Sequence, residues 1–219
     1  MYSIIIPIHN EGKVLHKLLE SLKHLLKKNH EIIIIDDGST DNSAKILLKY
    51  PLIKTIKFSK NCGKGAALRV GLQQAKHNKI IIFDGDMELD PNDIDKLMIL
   101  DEVNNVECVF GSRFDSIYPF SSIWNFGNYF FTLFFNIVNG SSLDDSLCCA
   151  KAFYKKDINQ EKLKSKKFDI DVELASQLLK NKKSIISVKI NYERRSTFDG
   201  KKLNVFNSLS IILRILKGL

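Results

Sequence analysis

A chain of 219 residues, 44% hydrophobic and 26% charged, has ordinary globular composition, which excludes a disordered protein and is most simply one domain with a sizeable core. Its 33 Lys+Arg against 25 Asp+Glu leave a net charge of +8, which suits nucleotide phosphates, nucleic acid or an anionic membrane surface, although a general lysine bias accounts for it as well. No segment holds the ~20 uninterrupted apolar residues of a membrane span. The chain opens directly into a strand at Ser3, so no signal peptide is expected. Cys62, Cys108 and the adjacent Cys148-Cys149 lack metal-finger spacing, and reduced thiols in the cytoplasm are the expectation.

Ser3–Ile6 reads as a short apolar strand closed by Pro7. After His9-Asn10-Glu11-Gly12, the positions Val14, Leu15, Leu18, Leu22, Leu25 and Leu26 keep a helical period. Ile32–Ile35 is a second all-apolar strand, ending in Asp36-Asp37-Gly38-Ser39-Thr40-Asp41, and a helix over Ser43–Leu48 follows. Ile53–Phe58 reads as a third strand. The Gly63-Lys64-Gly65 turn then opens a helix from about Ala66 to Lys76. Its amides and Lys64 could meet phosphate, but simple turn geometry explains the glycines as well, and neither a Walker loop nor a dinucleotide fingerprint is present.

Ile80–Phe83 is a fourth strand, apolar without a break, and it ends in Asp84-Gly85-Asp86, followed by Glu88 and Asp90. Carboxylates at a buried strand end are costly unless a cation sits there. A divalent metal held by one or two carboxylates and substrate phosphates meets that demand, an ordinary acidic turn being the alternative. Gly85 leaves room for close approach of a ligand. Strands apolar on both faces alternating with helices predict an α/β fold with a mostly parallel sheet covered on both sides. Its right-handed crossovers bring the loops Pro7–Gly12, Asp36–Asp41 and Asp84–Asp90 to one carboxyl edge, where such sheets bind ligands.

A helix over Pro91–Leu100 and a strand over Val106–Phe110 come next, the strand ended by Gly111-Ser112-Arg113. Ser121–Val138, rich in Phe, is a core helix or membrane-interface material. Asp144-Asp145 could reach the same cleft. Phe168–Leu179 carries Asp169, Asp171 and Glu173 at a helix start, where acids favour the dipole. Ser184–Tyr192 alternates like a half-exposed strand, and Arg194-Arg195 and Lys201-Lys202 mark a cationic loop. Leu203–Leu219 is amphipathic and basic, suited equally to docking on the domain or to lying on a membrane.

This order of motifs resembles the inverting GT-A glycosyltransferases of family 2, most of all the dolichyl-phosphate mannose and glucose synthases and their bacterial polyprenyl-phosphate relatives. The residues that carry it are Ile4–Glu11 (IIIPIHNE), Ile33–Asp41 (IIIDDGSTD), Asn61–Ala67 (NCGKGAA), Phe83–Pro91 (FDGDMELDP) and Gly111-Ser112-Arg113. Later blocks are Gly127-Asn128, Asp145–Phe153, Phe168–Glu173 and Tyr192–Lys202 (YERRSTFDGKK). The resemblance implies a GT-A domain over 1–202 and an amphipathic helix over 203–219. It implies that Pro7, His9, Glu11, Asp36, Asp37, Lys64, Asp84 and Gly85 bind the donor, a GDP- or UDP-sugar. Asp84, Asp86 and Glu88 would hold Mg²⁺ or Mn²⁺, and Arg113, Arg195, Ser196 and Lys202 would meet acceptor phosphate or leaving diphosphate. The chain departs from that pattern at Trp124-Asn125, where relatives often carry Arg, and at Cys149 and Ala150, which replace a Gly and an aromatic. It also ends at Leu219 without the membrane helices that some relatives add.

A polyprenyl phosphate acceptor is already ionised and needs positioning by cations, whereas a saccharide hydroxyl needs a base, for which Asp145 is the candidate. With Asp86, Arg113, Asp145 and Arg195 as the catalytic set, the leading expectation is a cytoplasmic, peripheral enzyme loading polyprenyl phosphate. A same-fold transferase acting on a saccharide hydroxyl and a silent nucleotide-sugar-binding module are the alternatives. Nucleic acid is not an expected partner, because no aromatic-basic interleaving appears.

Overall fold

The computed structural model describes residues 1–114, 123–181, 184–195 and 206–217. Strand β1 (Tyr2–Ile8) leads through two short helices, α1 (Leu15–Ser21) and α2 (Lys23–Lys27), into β2 (Glu31–Asp36). The leucine period predicts one helix there. The break at Leu22 shifts the spacing from four residues to three, so that Leu18, Leu22 and Leu25 all stay buried. Helix α3 (Ser43–Leu47), strand β3 (Lys54–Lys57), helix α4 (Lys64–Gln74) and strand β4 (Lys79–Ile82) complete the first half.

After β4 the expected helix over Pro91–Leu100 is only a 3₁₀ turn, Pro91–Asp93, and the single turn α5 (Ile94–Leu97). Asp90 caps the 3₁₀ turn by accepting from the Asn92 amide at 3.0 Å. Strand β5 (Cys108–Ser112), helix α6 (Ile123–Asn139), strand β6 (Lys151–Tyr154), helix α7 (Ile170–Lys180), strand β7 (Ile185–Lys189) and helix α8 (Phe206–Lys217) follow.

The sheet has seven strands in the order β3-β2-β1-β4-β6-β5-β7. All pairings are parallel except those of β6, which runs antiparallel to β4 and β5. Alternation along the central strands sends Ile4, Ile6 and Ile8 to one face with Leu15, Leu18 and Leu22. Ile5, Ile33, Ile35, Ile80 and Ile82 go to the other with Leu68, Leu72, Phe135, Ile170, Leu174, Ile211 and Ile215. Burying a side chain of this size contributes on the order of 1.5–3 kcal/mol, so the two apolar layers hold the strand ends fixed. Pro7, which lacks an amide donor, is tolerated in a central strand because pairing of β1 with β4 stops at Ile5↔Ile82.

Candidate functional site

The loops after β1 and β2 are tied to each other by backbone groups of the second loop, which meet the backbone and side chains of the first. The Asp37 amide donates to Ile8 O at 2.9 Å, His9 Nδ1 lies 2.8 Å from Asp37 O, and Asn10 Oδ1 accepts from the Thr40 amide at 2.8 Å. The two acids that end β2 then diverge in use. Asp37 accepts from the Cys62 and Gly63 amides at 2.7 and 2.9 Å, so both its oxygens hold the turn ahead of α4. Asp36 accepts from the Ser39 amide at 2.8 Å through one oxygen, while the other is buried without a partner among the described residues. An open buried acceptor at a ligand edge is suited to a donor hydroxyl or amide.

Gly63 and Gly65 sit tightly under the 165–166 backbone. A Cβ at either would lie 2.2 Å from a carbonyl oxygen, Lys166 O and Ser165 O respectively, and Gly63 has φ +92°. Turn geometry and close backbone approach account for Gly63, and close backbone approach alone for Gly65. Gly85 also proves to be a packing residue. The room expected for a ligand is filled by Ile8 Cγ2, 2.5 Å from where its Cβ would stand, because the Asp84–Asp86 turn folds back on β1.

Asp84, Asp86 and Glu88 form the acidic edge. Burial, then the charges of Asp84 and Glu88, push the Asp86 carboxyl up to about 6. Two cations answer the accumulated charge. Lys64 Nζ lies 2.9 Å from Asp84 and 2.8 Å from Asp171, and burial alone would lower its pKa, but Asp171 and Asp84 hold it well above the usual range. Arg195 donates to Glu11 at 2.8 Å and stands 3.3 Å from Asp86. Glu88 accepts from Tyr192 Oη at 3.1 Å and from the Arg195 amide at 3.3 Å.

Hard carboxylate oxygens at an edge short of positive charge fit Mg²⁺ or Mn²⁺. Among the described residues no three His, Cys, Asp or Glu side chains converge closely enough to hold an ion unaided, so oxygens of a bound ligand would have to complete the shell.

On the other side of the edge Arg113 forks onto Asp145, with Nε to Oδ2 at 2.7 Å and Nη2 to Oδ1 at 2.9 Å. The Asp145 side chain is wholly buried, and the Arg113 guanidinium also lies 5.6 Å from the Tyr192 ring centre. Cys149, buried beside Asp84 and Lys64, has its thiol held well above the usual range by burial and then by Asp84. Ser196 and Lys202 lie outside the described residues.

The structure thus brings Pro7, His9, Glu11, Asp36, Asp37, Lys64, Asp84, Asp86, Glu88, Arg113, Asp145 and Arg195 to one edge. Sequence reasoning did not find Asp171, which it read only as a helix-dipole acid, or Tyr192. The surplus of acids over what one helix start needs, Asp169, Asp171 and Glu173, was the available signal.

Beside this edge, α6 carries no charged residue and exposes Phe126, Phe130, Leu133 and Ile137. Phe114, next to Arg113, packs edge-on against Tyr129 of α6 with ring centres 6.0 Å apart. Helix α8 buries Ile211 and Ile215 against the body and leaves Leu209, Leu213 and Leu216 exposed. Both readings of the tail thus have a face, one docked and one open. Among the described residues no helix is long and apolar enough to cross a membrane.

Comparison with known proteins agrees with this architecture. Residues 3–163 match the family model for glycosyl transferase family 2. A dolichyl-phosphate beta-glucosyltransferase of Dictyostelium discoideum is 30% identical over 94% of this chain and 69% of its own length. An undecaprenyl-phosphate 4-deoxy-4-formamido-L-arabinose transferase of Proteus mirabilis is 36% identical over 44% of this chain and 32% of its own. An uncharacterized Bacillus subtilis glycosyltransferase is 34% identical over 51% of this chain and 36% of its own, so the chain spans about a third of the length of these last two relatives. In structure it is similar to glucosyl-3-phosphoglycerate synthase from Mycobacterium tuberculosis, with TM-score 0.74 over 100% of this chain and 78% of that one, at 14% identity. That likeness carries the GT-A fold. With a family model over most of its length and a relative aligned over 94% of it, the chain belongs to glycosyl transferase family 2.

Proposed function

We propose that this protein is an inverting, metal-dependent transferase that moves a sugar from a UDP- or GDP-sugar to a polyprenyl phosphate at the cytoplasmic face of a membrane. The observation that carries the choice of acceptor is the Arg113–Asp145 fork. Both Asp145 oxygens face a guanidinium and the side chain has no solvent exposure, so it serves to orient a cation better than to take a proton. An acceptor already ionised has no proton to lose, and Arg113 then contributes by positioning its phosphate. In-line attack by that phosphate oxygen on the anomeric carbon forms the new bond as the bond to the nucleoside diphosphate breaks. One displacement inverts the centre and needs no enzyme nucleophile.

Asp84 and Asp86, with Glu88 behind them, would hold Mg²⁺ or Mn²⁺, which when bound neutralises the diphosphate as a Lewis acid. Lys64 and Arg195 add positive charge along the same edge, and the open oxygen of Asp36 offers the nucleoside an acceptor. Relatives support the reading: a dolichyl-phosphate beta-glucosyltransferase and an undecaprenyl-phosphate 4-deoxy-4-formamido-L-arabinose transferase are among them, and the structural neighbour was crystallised with Mn²⁺, UDP and phosphoglyceric acid.

A lipid chain leaving a phosphate at Arg113 would run over Phe114 and Tyr129 onto the uncharged face of α6. The exposed stripe of α8, with Lys217 at its end, suits the adjoining anionic surface. The test is incubation with a panel of UDP- and GDP-sugars, a short polyprenyl phosphate and Mn²⁺, with products read by mass. A glycosylated polyprenyl phosphate, lost on chelation, is the expected product. Sugar transfer only to saccharide hydroxyls, or donor binding with no turnover on any acceptor, would overturn the proposal.

A further inference from the structure

The C-terminal helix reaches the donor loop through a short chain of charge pairs and amides. Arg214 of α8 donates to Asp169 at 3.1 Å through Nε and to Glu173 at 2.8 Å through Nη1. Both acids stand at the start of α7, and both also hold the preceding loop. Glu173 accepts from the Lys164 and Ser165 amides at 3.0 and 2.9 Å, and Asp169 accepts from Ser165 Oγ at 2.7 Å. From the opposite side Arg69 of α4 donates to Ser165 O at 2.5 Å. The Gly65 amide then donates to Lys166 O at 2.9 Å, in the turn where neither Gly63 nor Gly65 has room for a side chain. Lys64, between those glycines, is the residue that spans Asp84 and Asp171, and Asp171 lies midway between Asp169 and Glu173 in sequence.

We propose that Arg214 is a positioning residue for the donor site, acting through Asp169 and Glu173 on the 163–167 loop against which the Gly63–Gly65 turn is seated. The physical basis is the cost of an unpaired buried charge. Asp169, Glu173 and Arg214 are all largely buried, so truncating the arginine leaves two carboxylates without their cation. The acids must then turn toward solvent or another donor, which loosens their hold on the loop amides. The turn has no slack of its own, because carbonyl oxygens already occupy the space a Cβ would need. A shift of the loop therefore moves Lys64 relative to Asp84. In this way the seating of α8 on the body bears on how well a nucleotide is held, and the nucleotide arm of the inference rests on the proposed donor class.

The test uses the full chain with two readouts, amide hydrogen exchange of segments 62–67 and 163–167, and titration with UDP and GDP in Mn²⁺. In Arg214→Ala we expect exchange about tenfold faster in both segments and nucleotide affinity about tenfold weaker, with kcat at saturating donor changed less than twofold. Arg214→Lys should recover most of both, since it restores a cation. Should Arg214→Ala fail to fold, Glu173→Gln keeps an oxygen for the loop amides, weakens the pairing with Arg214, and should give the same pattern at smaller amplitude. Faster exchange confined to 206–217, with unchanged nucleotide affinity, would overturn the relay. Faster exchange in both segments in a protein whose wild type binds neither nucleotide would support the relay and count against the donor reading instead.

Discussion

The two sides of the acidic edge are built by different means. On the side of β1, β2 and α4, carboxylates and amides of the main chain fix the loops: Asp37 on Cys62 and Gly63, Asn10 on Thr40, and Gly65 on Lys166. On the side of β5, β6 and the 192–195 segment, arginine forks join the main-chain amides, Arg113 on Asp145 and Arg195 on Glu11 and Asp86, whereas the α4 side has the lysine pairs of Lys64 with Asp84 and Asp171. Backbone-held loops are specific in shape and respond to substitution by losing structure. Breaking one of the largely buried ion pairs on the other side leaves a charge uncompensated, so substitution there costs stability as well as changing how a charged ligand is held. The contrast is consistent with the proposed division, a nucleotide on one side and an acceptor phosphate on the other.

The largest expected effect lies where the two sides meet. Asp86→Asn should lower transfer by about a thousandfold or more while far-UV dichroism and thermal melting stay near wild type, because it removes charge at the proposed cation without changing volume. Activity that survives both this substitution and a chelator would remove the metal from the account. Next is Arg195→Ala, expected to lower kcat/KM for polyprenyl phosphate by about a hundredfold with a smaller change in nucleotide affinity, as a truncated fork leaves phosphate uncompensated. Equal losses for donor and acceptor would erase the distinction between the two sides.

Asp37→Ala sharpens the comparison from the other direction. It leaves the part-buried Cys62 and Gly63 amides without their acceptor, so a stability loss of about 1–2 kcal/mol in denaturant unfolding is expected, together with loss of nucleotide binding. A fully stable variant would show that the backbone network is not what holds the donor side. The smallest effect is chemical. Cys62 is exposed whereas Cys108, Cys148 and Cys149 are buried, and burial raises the Cys148 thiol to about 11. Iodoacetamide should therefore label Cys62 alone in the folded protein, as read by peptide mass.

The same contrast governs how much could be read from residues. Three strands with unbroken Ile runs, ending in acids or Pro, made the parallel half legible, and the acidic loops do meet at one edge. Strand β6 was hidden because it opens on Lys151, a charged residue with no solvent exposure. Its ammonium group is satisfied by the carbonyls of Ser146 and Cys148 and lies over the Phe110 ring, an environment that only tertiary folding supplies. Gly85 was misjudged for a similar reason, since nothing local reveals that Ile8 would fill its empty side. Asp171 pairs with Lys64 across 107 residues of sequence, and no spacing rule reaches that far. Of the two readings of the tail, docking on the domain is seen for one face of α8, where Ile211 and Ile215 are buried while Leu209 and Leu213 are exposed.

The central claim is that the acceptor arrives already ionised, so that Asp145 orients Arg113 and takes no proton. Steady-state kinetics of Asp145→Asn with a soluble polyprenyl phosphate test it most directly. Asparagine keeps one acceptor oxygen for the guanidinium, so a loss of about tenfold or less in kcat is expected, far below the ~100-fold or more of a removed general base. An inactive Asp145→Asn beside a nearly wild-type Arg195→Ala would contradict the account and identify the acceptor as a hydroxyl.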